Sequence, residues 1–131
     1  MFAAAPRGAD AYRQTQVLSR TPLELVVMLY DGVLRFLGTA EDAVRRGDIP
    51  ARRTALSKAL AIISELQSTL NMEHGGDIAR SLDDLYRYAS LRLLDAAARN
   101  DAEPIEETIR LFRTLREGWE GISTSQERGA R

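Results

Sequence analysis

The side chains able to do acid–base, nucleophilic or metal chemistry are few and badly placed for it. The one histidine, His74, stands beside Gly75-Gly76, and cysteine is absent. A thiolate nucleophile, a thiolate zinc site and a disulfide framework are therefore excluded together. A di-iron centre in a helical bundle takes a Glu-x-x-His pair from each of two helices, and a single histidine in a glycine-flanked turn cannot supply that. The adjacent acids Asp83-Asp84 and Glu106-Glu107 point about 100° apart on a helix, so neither pair converges as a general acid and base. Both pairs read as solvated faces. The sequence has no Gly-x-x-x-x-Gly-Lys-Ser/Thr phosphate loop, and Gly75-Gly76 reads as a helix connector. Arg45, Arg46, Arg52 and Arg53 crowd one stretch, yet no aromatic residues interleave with them for stacking on bases. Arg45 and Arg46 read as helix-end residues that complement the dipole. The expected molecule is not an enzyme, and it takes no cofactor, metal, nucleic acid or small-molecule substrate.

Such chemistry as remains must be binding, and the elements that position it are helical. Four segments follow from capping signals and 3.6-residue periodicity. The first opens at Thr21-Pro22-Leu23-Glu24, a capping box with proline at the tolerated first position. It runs to about Arg46 before Gly47, with Val26, Leu29, Val33, Phe36, Leu37, Ala40 and Val44 inward. The second opens near Asp48 and Pro50 and carries Leu56, Ala59, Leu60, Ile63, Leu66, Gln67 and Leu70 at core spacing, ending at Gly75-Gly76. The third runs from about Asp77 to Arg99, with Ile78, Leu82, Leu85, Ala89, Leu93 and Ala96 on one face and Asn100 at its exit. Asp101 caps the fourth, whose stripe is Ile105, Ile109, Phe112, Leu115, Trp119 and Ile122. Short connections between helices of this length predict an all-α, antiparallel up-down-up-down four-helix bundle over residues 21–122. Residues 1–20 read as an N-terminal extension, apolar enough at Tyr12, Val17 and Leu18 to dock on the bundle. Residues 123–131 read as a mobile polar tail.

Composition agrees with one domain. The 131 residues are 44% hydrophobic and 28% charged, enough to bury a core without a disulfide or metal. A formal net charge of −1, with every basic residue but Lys58 an arginine, gives no global steering toward nucleic acid or anionic lipid. The first ten residues lack the pattern of a secretory signal, and no stretch is long and apolar enough to span a bilayer. The expected location is the cytoplasm, without stable membrane insertion.

A bundle buries one apolar stripe per helix, and three of these helices carry more than that. Leu23 to Tyr30 is apolar nearly all round, interrupted only by Glu24. In the second helix Ile62 lies about 100° from Ile63, and Ala55 and Met72 widen the flank. In the third, Leu94 lies opposite Leu85, with Tyr88 and Leu91 between. The surplus either widens the core, meets a second copy in a homodimeric structural or regulatory adaptor, or forms a groove for a partner helix. Periodicity leaves these open.

The order of motifs points further. Ala11-Tyr12, Thr21-Pro22 and Leu29-Tyr30-Asp31-Gly32 are followed by Lys58-Ala59, Ile62-Ile63-Ser64-Glu65-Leu66 and Leu70-Asn71. Then come Gly75-Gly76-Asp77-Ile78-Ala79, Leu85-Tyr86-Arg87-Tyr88, Arg92-Leu93 and Leu115-Arg116-Glu117-Gly118-Trp119. In this order and spacing, over about residues 11–120, the chain resembles the flagellin-export chaperone family (FliS). It departs mildly, with Ala97-Ala98-Arg99-Asn100 where the family has an alanine-asparagine pair earlier in the helix end, and with Gly118 for a more usual alanine. The resemblance implies a cytoplasmic chaperone that binds the disordered C-terminal segment of flagellin, blocks its premature polymerisation and brings it to the flagellar type III export gate. On that basis the client contacts are the outward apolar residues Ile62, Leu66, Met72, Ile78, Tyr86 and Leu91, with Tyr12 as a cover that the client displaces. Asp31 and Asn71 fall in the motifs as polar partners of bundle or client, Asp31 with a structural role in the first helix. Trp119 reads as core.

Overall fold

Thr21 starts the first helix through its side chain. Its hydroxyl accepts the Glu24 amide at 3.2 Å, and the Glu24 carboxylate accepts the Thr21 amide at 3.3 Å, so two otherwise orphaned amides satisfy each other's caps. The structure is a computed structural model that describes the backbone of residues 21–129 and the side chains of residues 21–122. It comprises α1 (Pro22–Arg46), α2 (Ile49–Ser68), α3 (Gly76–Arg99) and α4 (Glu103–Gly129). Asp48 caps α2 by accepting the Ala51 amide at 3.1 Å, and Asp101 accepts the Glu103 amide at 3.0 Å. Asn100 takes the left-handed exit of α3 at φ 53°, a conformation asparagine tolerates better than most residues.

The turns at residues 47–48 and 100–102 are short, so successive helices fold back on one another. α1 packs against α2 and α4, and α3 closes the other side of the square by packing on the same two helices. The core runs along the axis through Tyr30, Val33, Leu37 and Ala40 of α1, Leu56, Ala59 and Ile63 of α2, Leu82, Ala89 and Leu93 of α3, and Ile105 and Phe112 of α4. Each large side chain sealed there contributes on the order of 1.5–3 kcal/mol of apolar transfer free energy. The expected all-α antiparallel bundle is the observed one, and no strand occurs among the described residues.

Several details differ from the sequence reading. Ile78 and Ile122, read on the apolar stripes of the third and fourth helices, are exposed. The buried face of α1 is centred on Tyr30, which is fully sealed, whereas Val26, Leu29, Phe36 and Val44 are only half-buried. α2 stops at Ser68, short of Gly75-Gly76, and at its exit the Thr69 hydroxyl donates to the Leu66 carbonyl at 2.7 Å. α4 continues past Ile122 to Gly129, since a helix keeps its backbone hydrogen bonds after its apolar stripe has ended. The backbone of residues 123–129 is thus part of α4.

Polar residues tie the helices where apolar ones do not. Arg52 is buried, and its Nη1 donates to Asn100 Oδ1, clamping the start of α2 to the exit of α3. Arg116 of α4 pairs with Asp31 of α1 and with Glu120 at 2.7 Å. Asp31 therefore serves an ion pair between helices, where the sequence places its structural role within the first helix. Its carboxylate raises the affinity of Arg116 for its proton. Between α3 and α4, Glu107 accepts Arg92 Nε at 2.6 Å and the Tyr88 hydroxyl at 2.8 Å.

Candidate functional site

The end of the bundle opposite the two short turns is open. There α1 begins, α2 stops, the 69–75 connection crosses and α3 starts, leaving a cleft of about 220 Å³. Its lining is mostly apolar: Val26 from α1, Leu66 and Leu70 from α2 and its exit, Ile78, Ala79, Leu82 and Tyr86 from α3, and Trp119 from α4. Thr69, Asn71 and Gly75 complete the rim. Asn71 shapes that rim, since its side-chain oxygen accepts the His74 amide at 3.0 Å and its carbonyl accepts the Gly75 amide at 2.7 Å. Gly75 is needed at this position, because a Cβ there would lie 2.5 Å from the Asn71 carbonyl oxygen and 2.6 Å from Ala79 Cβ.

Beneath the cleft the aromatic residues interlock. Tyr86 stacks on Phe112 with ring centroids 6.1 Å apart, and Tyr30 meets Phe112 edge-on at 5.4 Å. The Tyr30 and Tyr86 hydroxyls are 2.6 Å apart, and Trp119 Nε1 donates to Tyr30 Oη at 2.7 Å. Burial is the main cause that pushes both phenols above the ordinary tyrosine value, so they are neutral across the physiological range. Among the described residues, the cleft lining is mostly apolar and includes no carboxylate, histidine or lysine.

The six residues expected to touch a client divide into three groups. Ile78, 71% exposed, stands at the mouth of the cleft, and Leu91, 60% exposed, lies on the outer face of α3 beside Tyr88 and Leu94. Met72 is exposed as well, but in the 69–75 connection rather than on α2. Leu66 and Tyr86 are each 1% exposed and are not outward residues: they belong to the core and form the floor of the cleft. Ile62 is half-buried, with its Cδ1 2.9 Å from the point a Cβ on Gly32 would occupy. It sits in the α1–α2 contact, because the missing side chain of Gly32 leaves a notch that Ile62 fills. Tyr12 lies outside the described residues.

Val26, Leu70, Leu82 and Trp119 also line the cleft and were read from the sequence only as core positions. Their shared signal is position: each is an apolar residue toward the end of the bundle where the longest connection, residues 69–75, crosses. Trp119 is accordingly half-buried rather than sealed.

A second hollow, about 480 Å³, lies between α1 and the start of α2. There Arg35 and Lys58 lie 4.9 and 5.4 Å from the centre of the Phe36 ring. Thr39, Thr54, Asp48 and Lys58 share its walls with Phe36 and Ala55, so a larger share of its lining is polar than at the open end. None of the described helices is long and apolar enough to cross a membrane.

Comparison with known proteins agrees with this geometry. The sequence profile of the family described as flagellar protein FliS matches residues 5–126. The flagellar secretion chaperone FliS of Salmonella typhimurium is 42% identical over 121 residues, covering 88% of this chain and 90% of the relative. FliSB of Pseudomonas aeruginosa, also named a flagellar secretion chaperone, is 36% identical over 110 residues (84% and 87% covered). The FliS of Bacillus subtilis is 33% identical over 118 residues (90% and 87%). Among solved structures, a bacterial flagellar chaperone superposes with a TM-score of 0.76 at 17% identity, covering 91% of this chain and 99% of that one, which shows the shared fold. The chain belongs to the FliS family, whose members are flagellar secretion chaperones rather than enzymes.

Proposed function

We propose that this protein binds the C-terminal segment of flagellin in the cytoplasm, keeps it from polymerising before export, and delivers it to the flagellar type III export gate. The observation that carries the proposal is the open apolar cleft with Ile78 at its mouth, in a chain of the FliS family. A disordered segment that has no place yet in a filament must cover its apolar helix faces. The cleft and the outer face of α3 at Leu91 and Leu94 offer surfaces of matching chemistry. Each client side chain buried there contributes on the order of 1.5–3 kcal/mol before the cost of ordering the segment is subtracted. As part of the same proposal, the stretch around Tyr12 covers the cleft until the client displaces it, which lowers the apparent affinity by the work of uncovering and helps release.

Calorimetry with the isolated flagellin C-terminal segment from the same organism is the direct test. Tight one-to-one binding with a negative heat-capacity change is expected, and deletion of residues 1–20 should tighten it. No heat and no complex would end the reading. The competing possibility, that Tyr88, Leu91 and Leu94 form the seam of a homodimeric adaptor, is favoured by their exposure on one face. Light scattering decides it: a stable dimer indifferent to flagellin supports the adaptor, and a monomer that forms a one-to-one complex supports the chaperone.

A further inference from the structure

The aromatic cluster under the cleft holds one more hydrogen-bond donor than it can satisfy. Three donors meet there: the Trp119 indole N–H and the hydroxyls of Tyr30 and Tyr86. Trp119 Nε1 donates to Tyr30 Oη at 2.7 Å, and the two hydroxyls share one bond of 2.6 Å. Two bonds use two protons, and the third proton has no acceptor among the described residues.

That proton belongs to one phenol or the other; both rings are sealed to within 1%, and contact with the cleft, which Tyr86 has and Tyr30 lacks, decides which. If Tyr86 donated to Tyr30, Tyr30 Oη would accept twice and strand its own proton where the residue is fully sealed, at the desolvation cost of an unmade bond. If Tyr30 donates to Tyr86, the spare proton falls on Tyr86, which lines the cleft. A cleft of about 220 Å³ has room for several waters, so the proton is satisfied while the cleft is empty. The second arrangement is also a one-way chain, Trp119 to Tyr30 to Tyr86 to the cleft, in which each bond polarises the next.

We propose that the Tyr86 hydroxyl is a donor held at the floor of the cleft for an amide carbonyl of the client. The inference rests on the reading that the flagellin segment enters this cleft. The other polar groups of the lining are differently placed: the Thr69 hydroxyl is spent on the Leu66 carbonyl, the Trp119 N–H on Tyr30, and Asn71 is exposed at the rim. The site therefore selects an apolar segment that brings a carbonyl not already used inside a helix, at a helix end or on an Asn or Gln side chain. A wholly aliphatic insert leaves the Tyr86 proton dry and unpaired, and binds less well for that reason.

The test titrates the full chain with a synthetic peptide of the flagellin C-terminal segment from the same organism, for wild type, Tyr86→Phe and Tyr30→Phe. Each variant keeps its ring, and each loses stability to urea because a bond inside the cluster is gone. Tyr86→Phe should bind about tenfold more weakly, the worth of one hydrogen bond, while Tyr30→Phe stays within about twofold of wild type because the Tyr86 proton is still available. Wild-type affinity in Tyr86→Phe overturns the proposal. Equal losses in both variants overturn it as well, since they report a disordered cluster instead of a lost contact. A wild-type chain that binds no peptide removes the flagellin reading and this proposal with it, and that outcome is visible in the first titration.

Discussion

Ile62 of α2 seats its Cδ1 2.9 Å from the point a Cβ on Gly32 of α1 would occupy, so the glycine in Tyr30-Asp31-Gly32 is a socket for the isoleucine. Ile62→Asp places a carboxylate in that contact and should cost at least about 2 kcal/mol of unfolding free energy. Leu91→Asp, on the exposed face of α3, should change stability by no more than about 0.5 kcal/mol. Urea denaturation followed by circular dichroism gives both values. Equal and small effects would mean that Ile62 is a surface residue after all.

The glycines of the chain divide by what surrounds them. Gly75→Ala forces a methyl against the Asn71 carbonyl oxygen, a backbone atom that cannot swing away, and should destabilise by about 1–3 kcal/mol. Gly38 lies mid-helix in α1 with open space where a Cβ would be. Gly38→Ala removes backbone freedom from the unfolded chain at no steric cost and should add about 0.5–1 kcal/mol. Melting temperatures that move in the same direction for the two variants would contradict this division.

Asn100→Ala is expected to be more harmful than Arg52→Met. The first leaves the buried Arg52 Nη1 without its partner, while Arg52 Nε has no partner already, and it also puts an alanine at φ 53°. Together these cost about 2–3 kcal/mol. Arg52→Met takes the charge away with its unmet needs, and a chain of similar length fills the space, so the loss should be much smaller. Denaturation midpoints of the two variants rank them, and the reverse order refutes the account of the clamp.

The ion network between α3 and α4 sets an acid limit. Hydrogen bonds from Arg92 and then Tyr88 hold the Glu107 carboxyl below its ordinary value. A carboxyl depressed in the folded state stabilises the fold at pH above its unfolded pKa and loses that contribution as pH falls through the folded value. The network therefore supports the bundle at neutral pH and ceases to do so under acid. Because its members are partly open to solvent, the effect is small. The gap in urea midpoint between wild type and Glu107→Gln should hold at neutral pH and shrink once pH falls below the ordinary glutamate value of about 4.3; a gap independent of pH would rule out this assignment.

The helices were legible in the sequence because caps are local chemistry. Thr21 with Glu24, Asp48 and Asp101 each declare a start within three residues of themselves: the first two are observed as caps, and Asp101 accepts the amide of Glu103, the first residue of α4. The site was only partly legible. Leu91 follows from a surplus of apolar residues, whereas periodicity puts Leu66 and Ile78 on apolar stripes: Leu66 is sealed as that spacing implies, and Ile78 is exposed, because periodicity gives the angle of a residue on its helix and not what stands across from it. The outward reading of Leu66 and Tyr86 comes from the resemblance, and both form a floor instead. Arg52 gave no sign of burial, since its partner Asn100 lies 48 positions away. The cleft lies where α2 has stopped at Ser68, an end that the apolar pattern places too late.

The turns at residues 47–48 and 100–102 gather all four helices at one end, where Arg52 and Asn100 rivet them together. At the other end only the 69–75 strap joins two of the four, and α1 and α4 have no turn to each other. The two ends are thus braced by different means: one by short turns and a buried clamp, the other by side chains that reach from α4 to α1, Arg116 to Asp31 and Trp119 to Tyr30. Loss of a turn would free a helix at the first end, whereas loss of a single side chain loosens the second.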